Sequence, residues 1–349
     1  MSHVAQLPWL FGKPQATAVL KQQPEDFEVE EQFEVELSGK GEHLWIWLEK
    51  RDLATPQAVA AIARALNVDR RDVSHSGLKD KRAVTRQWLS VWLPGKGEPE
   101  GWQASLPPGL TVLRYGRHER KLRRGSHQGN RFVICLRAVS DVAAVDARLQ
   151  QLATTDLPNF FGPQRFGHGD SNLTDIVTLL NGARLPRWRE SLILSAARSA
   201  LFNLMVAERM ANHPWPTLLV GDRAALNGSR SFFAVEAVDE ALLARLRSGD
   251  IAPTAALWGR GEPATSGWSG ASERAIAAAH PDWCALVERA GMEQERRAVS
   301  IRVADLDWQW QGADLTIRFT LARGCFATTV LRELVNSDGE ADGDEDTAE

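Results

Sequence analysis

The sequence predicts an α+β fold built on a largely antiparallel sheet, interrupted by an inserted domain. Two observations carry that prediction. Strands with intervening helices and short turns fill the first 155 residues, a pattern of α+β chains. Strand signals return near the C-terminus after a middle region of different character. At 349 residues the chain is long enough for two domains, each with its own core.

The elements follow in order. Over Lys21 to Leu37, apolar Phe27, Val29, Phe33, Val35 and Leu37 alternate with glutamates, as in a half-buried strand. Gly39-Lys40-Gly41 turns the chain into a second strand, His43 to Leu48. Thr55-Pro56 supplies an expected N-cap and first-turn proline, and Val59, Ile62, Ala63 and Leu66 form a helical stripe. Strand-like runs, Val73 to Ser76 and Trp88 to Trp92, flank a charged turn. Past a Pro/Gly-rich loop come the strands Leu110 to Tyr115 and Phe132 to Leu136. Asp141 then caps a helix reaching Leu152.

The character changes near Leu157. Asn159 to Gly169 is loop-like and rich in aromatic residues, and a long helix spans Glu190 to Asn212. Helical patterns and Gly/Trp/Ser-rich loops follow. Strands are expected again over Val299 to Trp310 and through Leu315, Ile317, Phe319 and Leu321. Gly324 opens a last helix, Phe326 to Val335. The expected division is 1–155 with 303–337 for the sheet domain, 156–302 for the insertion, and 338–349 for a tail.

Composition narrows the function classes. With 44% hydrophobic and 25% charged residues the chain is of the soluble globular type, and no apolar run approaches a membrane span. The N-terminus lacks the basic start and apolar core of a signal peptide. Three cysteines without paired spacing suggest neither a disulfide framework nor a zinc site, so a cytoplasmic, reduced compartment is expected. The tail from Asp338 to Glu349 carries seven acids and no base, and is predicted to be disordered. Without it the net charge of −4 becomes +3. Positive charge gathers between Arg114 and Arg131, where five further cations including Arg123 and Arg124 meet a single glutamate. Such a cluster is a footprint for phosphates, or else a solvated basic loop.

Chemistry concentrates in Gly77-Leu78-Lys79-Asp80-Lys81, followed by Arg82 to Trp88. A carboxylate at a turn beside fixed positive charge suits a nucleophile, because that charge favours the ionised form. Taken alone, the motif is better read as an ordinary charged hairpin turn. The other notable segments are Pro24-Glu25-Asp26-Phe27, Gly129-Asn130-Arg131-Phe132, Asn159 to Gly167, Ser195 to Asn203, and Gly324 to Leu334. In this order and spacing they resemble the TruD family, the tRNA pseudouridine synthases D, from about Gly12 to Val335.

The resemblance implies a pseudouridine synthase catalytic domain interrupted by an inserted α/β TRUD domain. It implies isomerisation of a uridine in tRNA, at position 13 for the bacterial family, without cofactor or metal. Asp80 matches the aspartate that does the covalent work, by attack on sugar or base or as the base that forms a glycal. The target base must leave its stack and be held by stacking and edge hydrogen bonds. Phe27 and Phe132 are suitable faces, Asn130 offers a donor and an acceptor, and Phe326 resembles a third wall. Each of these also fits a bland role: an inward strand residue for the two phenylalanines, a turn residue for Asn130, helix-start packing for Phe326. Many pseudouridine synthases place a tyrosine where Phe132 stands, whereas the chain's single tyrosine, Tyr115, lies elsewhere.

Lys21, Lys79 and Lys81 are the candidate counter-charges for Asp80. Lys21 is favoured, because it leads into Phe27 and could reach Asp80 across a cleft, whereas neighbours in extended chain point to opposite faces. Lys79 and Lys81 are therefore expected on RNA phosphate, as are Arg123, Arg124 and Arg165. Arg198 fits either phosphate or an internal ion pair, and no histidine is given a catalytic role. The expected partner is tRNA, bound by a monomer. Two rivals remain: a non-catalytic RNA-binding protein of the same fold, and a hydrolase, for which no Gly-x-Ser-x-Gly, Walker or metal-ligand spacing is present.

Overall fold

The computed structural model describes residues 6–229 and 231–336; the acidic tail lies outside them. Along the chain run β1 (Phe27–Gln32), β2 (His43–Arg51), α1 (Thr55–Ala65), β3 (Val73–His75), β4 (Val84–Trp92), β5 (Leu110–His118), β6 (Gly129–Leu136) and α2 (Val142–Leu152). The middle holds β7 (Leu157–Pro158), α3 (Ser171–Leu180), α4 (Arg187–Asn212), β8 (Arg223–Leu226), β9 (Phe232–Ala234), α5 (Glu240–Ser248) and β10 (Ile251–Leu257). It continues with α6 (Gly267–Ala279), α7 (Pro281–Arg289), β11 (Glu295–Ala298) and β12 (Ser300–Ile301). Last come β13 (Ala304–Gln311), β14 (Asp314–Ala322) and α8 (Ala327–Leu334). The fold is α+β, as its pattern of strands predicted.

Two compact units result. The sheet unit comprises Gln15–Ala147, Val303–Gly324 and 335–336. Its eight-stranded sheet has the order β13-β14-β6-β1-β4-β2-β5, with β3 also on β4. Only β1 and β4 run parallel; the other pairs are antiparallel. Alternation places Leu44, Ile46 and Leu48 of β2 on one face, where they form a core with Ala58, Ala61 and Ile62 of α1. On the other face Trp45, Trp88 and Leu122 cluster with Phe33 and Trp47. Arg86 there meets Glu28, Glu30 and Glu49.

One feature of this topology positions the site. β1 pairs with β4 over Val84 to Arg86, and β3 pairs with the same edge of β4 over Leu89 to Val91. The chain leaving β3 finds its sheet position already taken by β1. It must step out of the sheet plane before re-entering at Val84, and that detour is Gly77–Lys81.

The helical unit comprises 6–14, Arg148–Arg302 and Cys325–Leu334. Sequence pattern had given 6–14, 148–155 and 325–334 to the sheet domain, but polar contacts gather them here. The Glu333 carboxylate accepts the Leu10 and Phe11 N–H groups at 3.0 and 3.3 Å, Arg332 donates to the Leu7 and Pro8 carbonyls, and Arg148 donates to those of Gly12 and Glu333. β8–β11 form a four-stranded sheet, and β12 pairs with β7. By length and composition α4 could cross a membrane. Instead Ile193, Ala197, Ala200, Leu201 and Met205 bury its face in this unit's core.

Candidate active site

The Gly77–Lys81 detour is held by side chains from β2, β4 and the start of α1. Thr55, at the first position of α1, was expected to cap that helix. The N-cap is instead one residue earlier, at Ala54, whose carbonyl accepts the Gln57 and Ala58 N–H groups, each at 3.1 Å. The Thr55 hydroxyl is thereby released to accept the Lys79 N–H at 3.1 Å and to donate to Gln87 Oε1 at 3.1 Å. Gln87 Nε2 donates onward to the Gly77 carbonyl at 3.2 Å. Lys50 Nζ donates to the main-chain carbonyl of Asp80. Outside this brace, the Gly125 N–H donates to the Ser76 carbonyl at 2.6 Å.

So held, Asp80 meets Lys21, whose Nζ is 3.3 Å from Oδ1. Lys21 has a left-handed backbone, φ 50°, which costs an L-residue about 1 kcal/mol. The segment around it is pinned on both sides. Val19 bridges to Arg137, and buried Asp26 accepts two hydrogen bonds from the Arg137 guanidinium at 2.7 and 3.0 Å. Lys21 Nζ also lies 4.3 Å from the centre of the Phe27 ring. Phe27 meets Phe132 edge-on at 6.2 Å, and Phe132 stacks on Phe319 at 5.2 Å. Val29 of β1 pairs with Phe132 and Glu31 with Asn130, so these residues line one sheet face. Gly129 lets β6 and β14 approach: a Cβ there would lie 2.3 Å from the Leu321 carbonyl oxygen. The Asn130 Oδ1 is buried and has no hydrogen-bond partner among the described residues. Tyr115 lies on β5, edge-on to Trp102 at 5.7 Å.

Lys79 departs from expectation. Its side chain is only 5% exposed and points inward, with Nζ 3.9 Å from Glu31 Oε1, so it is not placed to meet RNA. The loop is not extended chain, and the rule that sends neighbours to opposite faces of a strand does not apply to it. Burial raises the Glu31 carboxyl and lowers the Lys79 ammonium, each opposed by the other's charge. His127 lies on the same acid, Nδ1 3.4 Å from Glu31 Oε1 without hydrogen-bond geometry. Burial, followed by the charges of Lys79 and Arg323, pulls His127 down to about 4. Glu31 Oε2 in turn accepts the Trp88 N–H at 2.9 Å. Lys81 is half-exposed on the same loop.

The basic segment divides. Arg117 is committed to Glu98 at 2.8 Å and to two carbonyls, and Arg114 lies over Trp88. Lys121, Arg123 and Arg124 are exposed and line a cavity of about 300 Å³ with Ser74 and His75. In the helical unit, Arg165 donates to Ser195 Oγ at 2.9 Å and sits over the Phe161 ring at 5.1 Å, its pKa lowered by burial. Arg198 is internal, bound to the carbonyls of Leu257, Trp258 and Glu293 and paired with Glu295. Asn203 of α4 holds Phe161 by accepting its N–H at 2.8 Å and donating to its carbonyl at 3.0 Å. Phe326 packs in this unit, 6.5 Å from Phe161.

The order of these motifs is shared with known proteins. The profile of the family described as tRNA pseudouridine synthase D (TruD) matches residues 6–180 and 181–334. The chain belongs to the TruD family. A relative named tRNA pseudouridine synthase D from Pseudomonas putida KT2440 is 45% identical over 342 residues, covering 96% of each chain. One of the same name from Pseudomonas aeruginosa PAO1 is 43% identical over 333 residues, 94% of this chain and 93% of the other. The crystal structure of a TruD protein from Methanosarcina mazei has a TM-score of 0.69, at 21% identity, over 95% of this chain and 94% of that one. At that identity the likeness shows a shared fold.

Sequence reading of this TruD member missed Lys50, Thr55, Gln87 and Glu31. Two left a signal. Lys50 continues the buried series Leu44, Ile46, Leu48, and Glu31 continues Phe27, Val29. A charged residue in phase with an apolar strand face is a buried charge, and buried charges need partners.

Proposed function

We propose that this chain isomerises uridine 13 of tRNA to pseudouridine, with Asp80 as the catalytic carboxylate. The observation that carries the reading is the Lys21–Asp80 pair at 3.3 Å, set against the Phe27 ring. In the reaction the bond from N1 of uracil to C1′ of ribose breaks, the base turns, and C5 bonds to C1′. The C5 proton is lost and N1 gains one, so no oxidant or reductant is needed. Asp80 supplies a carboxylate for addition to C1′ or to the base, or for the proton abstraction that gives a glycal. Lys21 orients that carboxylate and balances its charge. Phe27 and Phe132 offer stacking surface to the flipped base, and the unpartnered Asn130 Oδ1 is an acceptor for the N3–H of uracil. Phe132 carries no hydroxyl, so no phenol at that position takes the C5 proton.

Lys121, Arg123 and Arg124 supply phosphate contacts, with Lys81 and Arg165 as further candidates. A cytoplasmic monomer acting on tRNA completes the reading. Mapping pseudouridine in tRNA from cells lacking the protein tests it. Loss confined to position 13 is expected; modification retained there contradicts the assignment.

A further inference from the structure

We infer that Lys50 is a positioning residue for the reaction: its buried ammonium, through the main-chain carbonyl of Asp80, fixes where the Asp80 carboxylate sits. The inference rests on the reading of Asp80 as the catalytic group.

Lys50 lies on β2 at 0% exposure, in phase with Leu44, Ile46 and Leu48 and opposite Thr85 of β4. An apolar side chain would fill that position at no electrostatic cost, whereas a buried ammonium is unfavourable by several kcal/mol unless it finds acceptors. One acceptor it finds is the carbonyl of Asp80. That carbonyl belongs to a detour without strand pairing, whose conformation is set by side chains. The brace meets three successive parts of the loop: Gln87 holds the Gly77 carbonyl, Thr55 holds the Lys79 N–H, and Lys50 holds the Asp80 carbonyl. The Thr55 to Gln87 hydrogen bond ties two of these contacts to each other.

A purely scaffolding role for Lys50 would be met by any contact that keeps the loop folded. Its attachment to the peptide of the acting residue has a sharper consequence. Rotation of that peptide swings the carboxylate away from Lys21, and a shift of about 1 Å in a reacting group costs on the order of 10²-fold in rate. Substrate contacts made elsewhere are untouched. Loss of Lys50 should therefore act on kcat and spare tRNA affinity.

The test compares the full-length wild type with Lys50→Met, Thr55→Val and Asp80→Asn, measuring kcat and KM for pseudouridine formation, Kd for a tRNA transcript, and thermal unfolding. Lys50→Met is expected to lower kcat about 10²-fold, with Kd changed less than about threefold. Thr55→Val should show the same split in weaker form. Wild-type kcat in Lys50→Met, beside an inactive Asp80→Asn, overturns the positioning role and leaves the Asp80 assignment standing. Parallel losses of kcat and tRNA affinity in Lys50→Met mean a structural role only and also overturn it. An active Asp80→Asn fails differently, removing the catalytic reading itself and this inference with it. Should Lys50→Met not fold, Thr55→Val decides, and a wild-type kcat there overturns the brace.

Discussion

Lys21 and Asp80 meet across 59 residues of sequence, Nζ to Oδ1 at 3.3 Å, with both side chains still partly open to solvent. Partly exposed pairs of this kind contribute at most about 1 kcal/mol to stability. Holding Lys21 in a left-handed backbone costs about as much. The pair is therefore poorly explained as a stabilising device and well explained as an orienting one. Lys21→Met should change the unfolding free energy by less than about 1 kcal/mol while lowering kcat tenfold or more. Urea unfolding beside steady-state kinetics checks this. An unchanged kcat would remove Lys21 from the mechanism.

Lys79 makes the opposite prediction. Its partner Glu31 is fully buried, and removing one member of a buried pair strands the other. Lys79→Met should destabilise the protein by about 3 kcal/mol, and adding Glu31→Gln should restore much of that. The salt dependence of tRNA binding should not change. A stable Lys79→Met with a flatter salt slope would return this lysine to the RNA.

His127 sets a pH window. Unfolded, it takes up a proton near its ordinary 6.5; folded, only near 4. Between those values the native state binds fewer protons, so its stability falls as pH falls. The loss begins below pH 6.5 and is complete by about pH 4, at most about 3 kcal/mol. Glu31, raised by burial, works the other way: its contribution is full below 4.5 and fades as pH rises through the folded value. Because that part is common to both proteins, comparing His127→Gln with wild type isolates the histidine. Wild type should lose more stability between pH 7 and pH 5; equal losses would refute the assignment.

Phosphate contacts by Arg123 and Arg124 are testable through counterion release. Replacing both by alanine should weaken tRNA binding and reduce the slope of log Kd against log salt by about 1.5 to 2. A weakened complex with an unchanged slope would mean that their loss acts through folding.

The strands, the last helix and the inward places of Phe27 and Phe132 on their strands were legible because alternation and motif spacing are local properties of the chain. Lys21 was favoured over Lys79 for a sound reason, that one group must reach Asp80 from across a cleft. The inward turn of Lys79 was not legible, because it follows from β1 and β3 sharing one edge of β4. Sequence order does not show such an occupancy. The same limit hid Thr55, whose hydroxyl looks like a helix cap until the N-cap is seen to be Ala54. The allocation of 6–14 and 325–334 depends on contacts between chain ends more than 300 residues apart, such as Leu10 with Glu333.

The measurement that bears most directly on the account is pseudouridine formation by Asp80→Asn under single-turnover conditions, with enzyme in excess over a tRNA transcript. The substitution keeps the size of the side chain and removes its charge, while the Lys50 hydrogen bond to the main-chain carbonyl survives. Binding within about threefold of wild type, with no pseudouridine formed, is the predicted result. Formation of pseudouridine at the wild-type rate would contradict it.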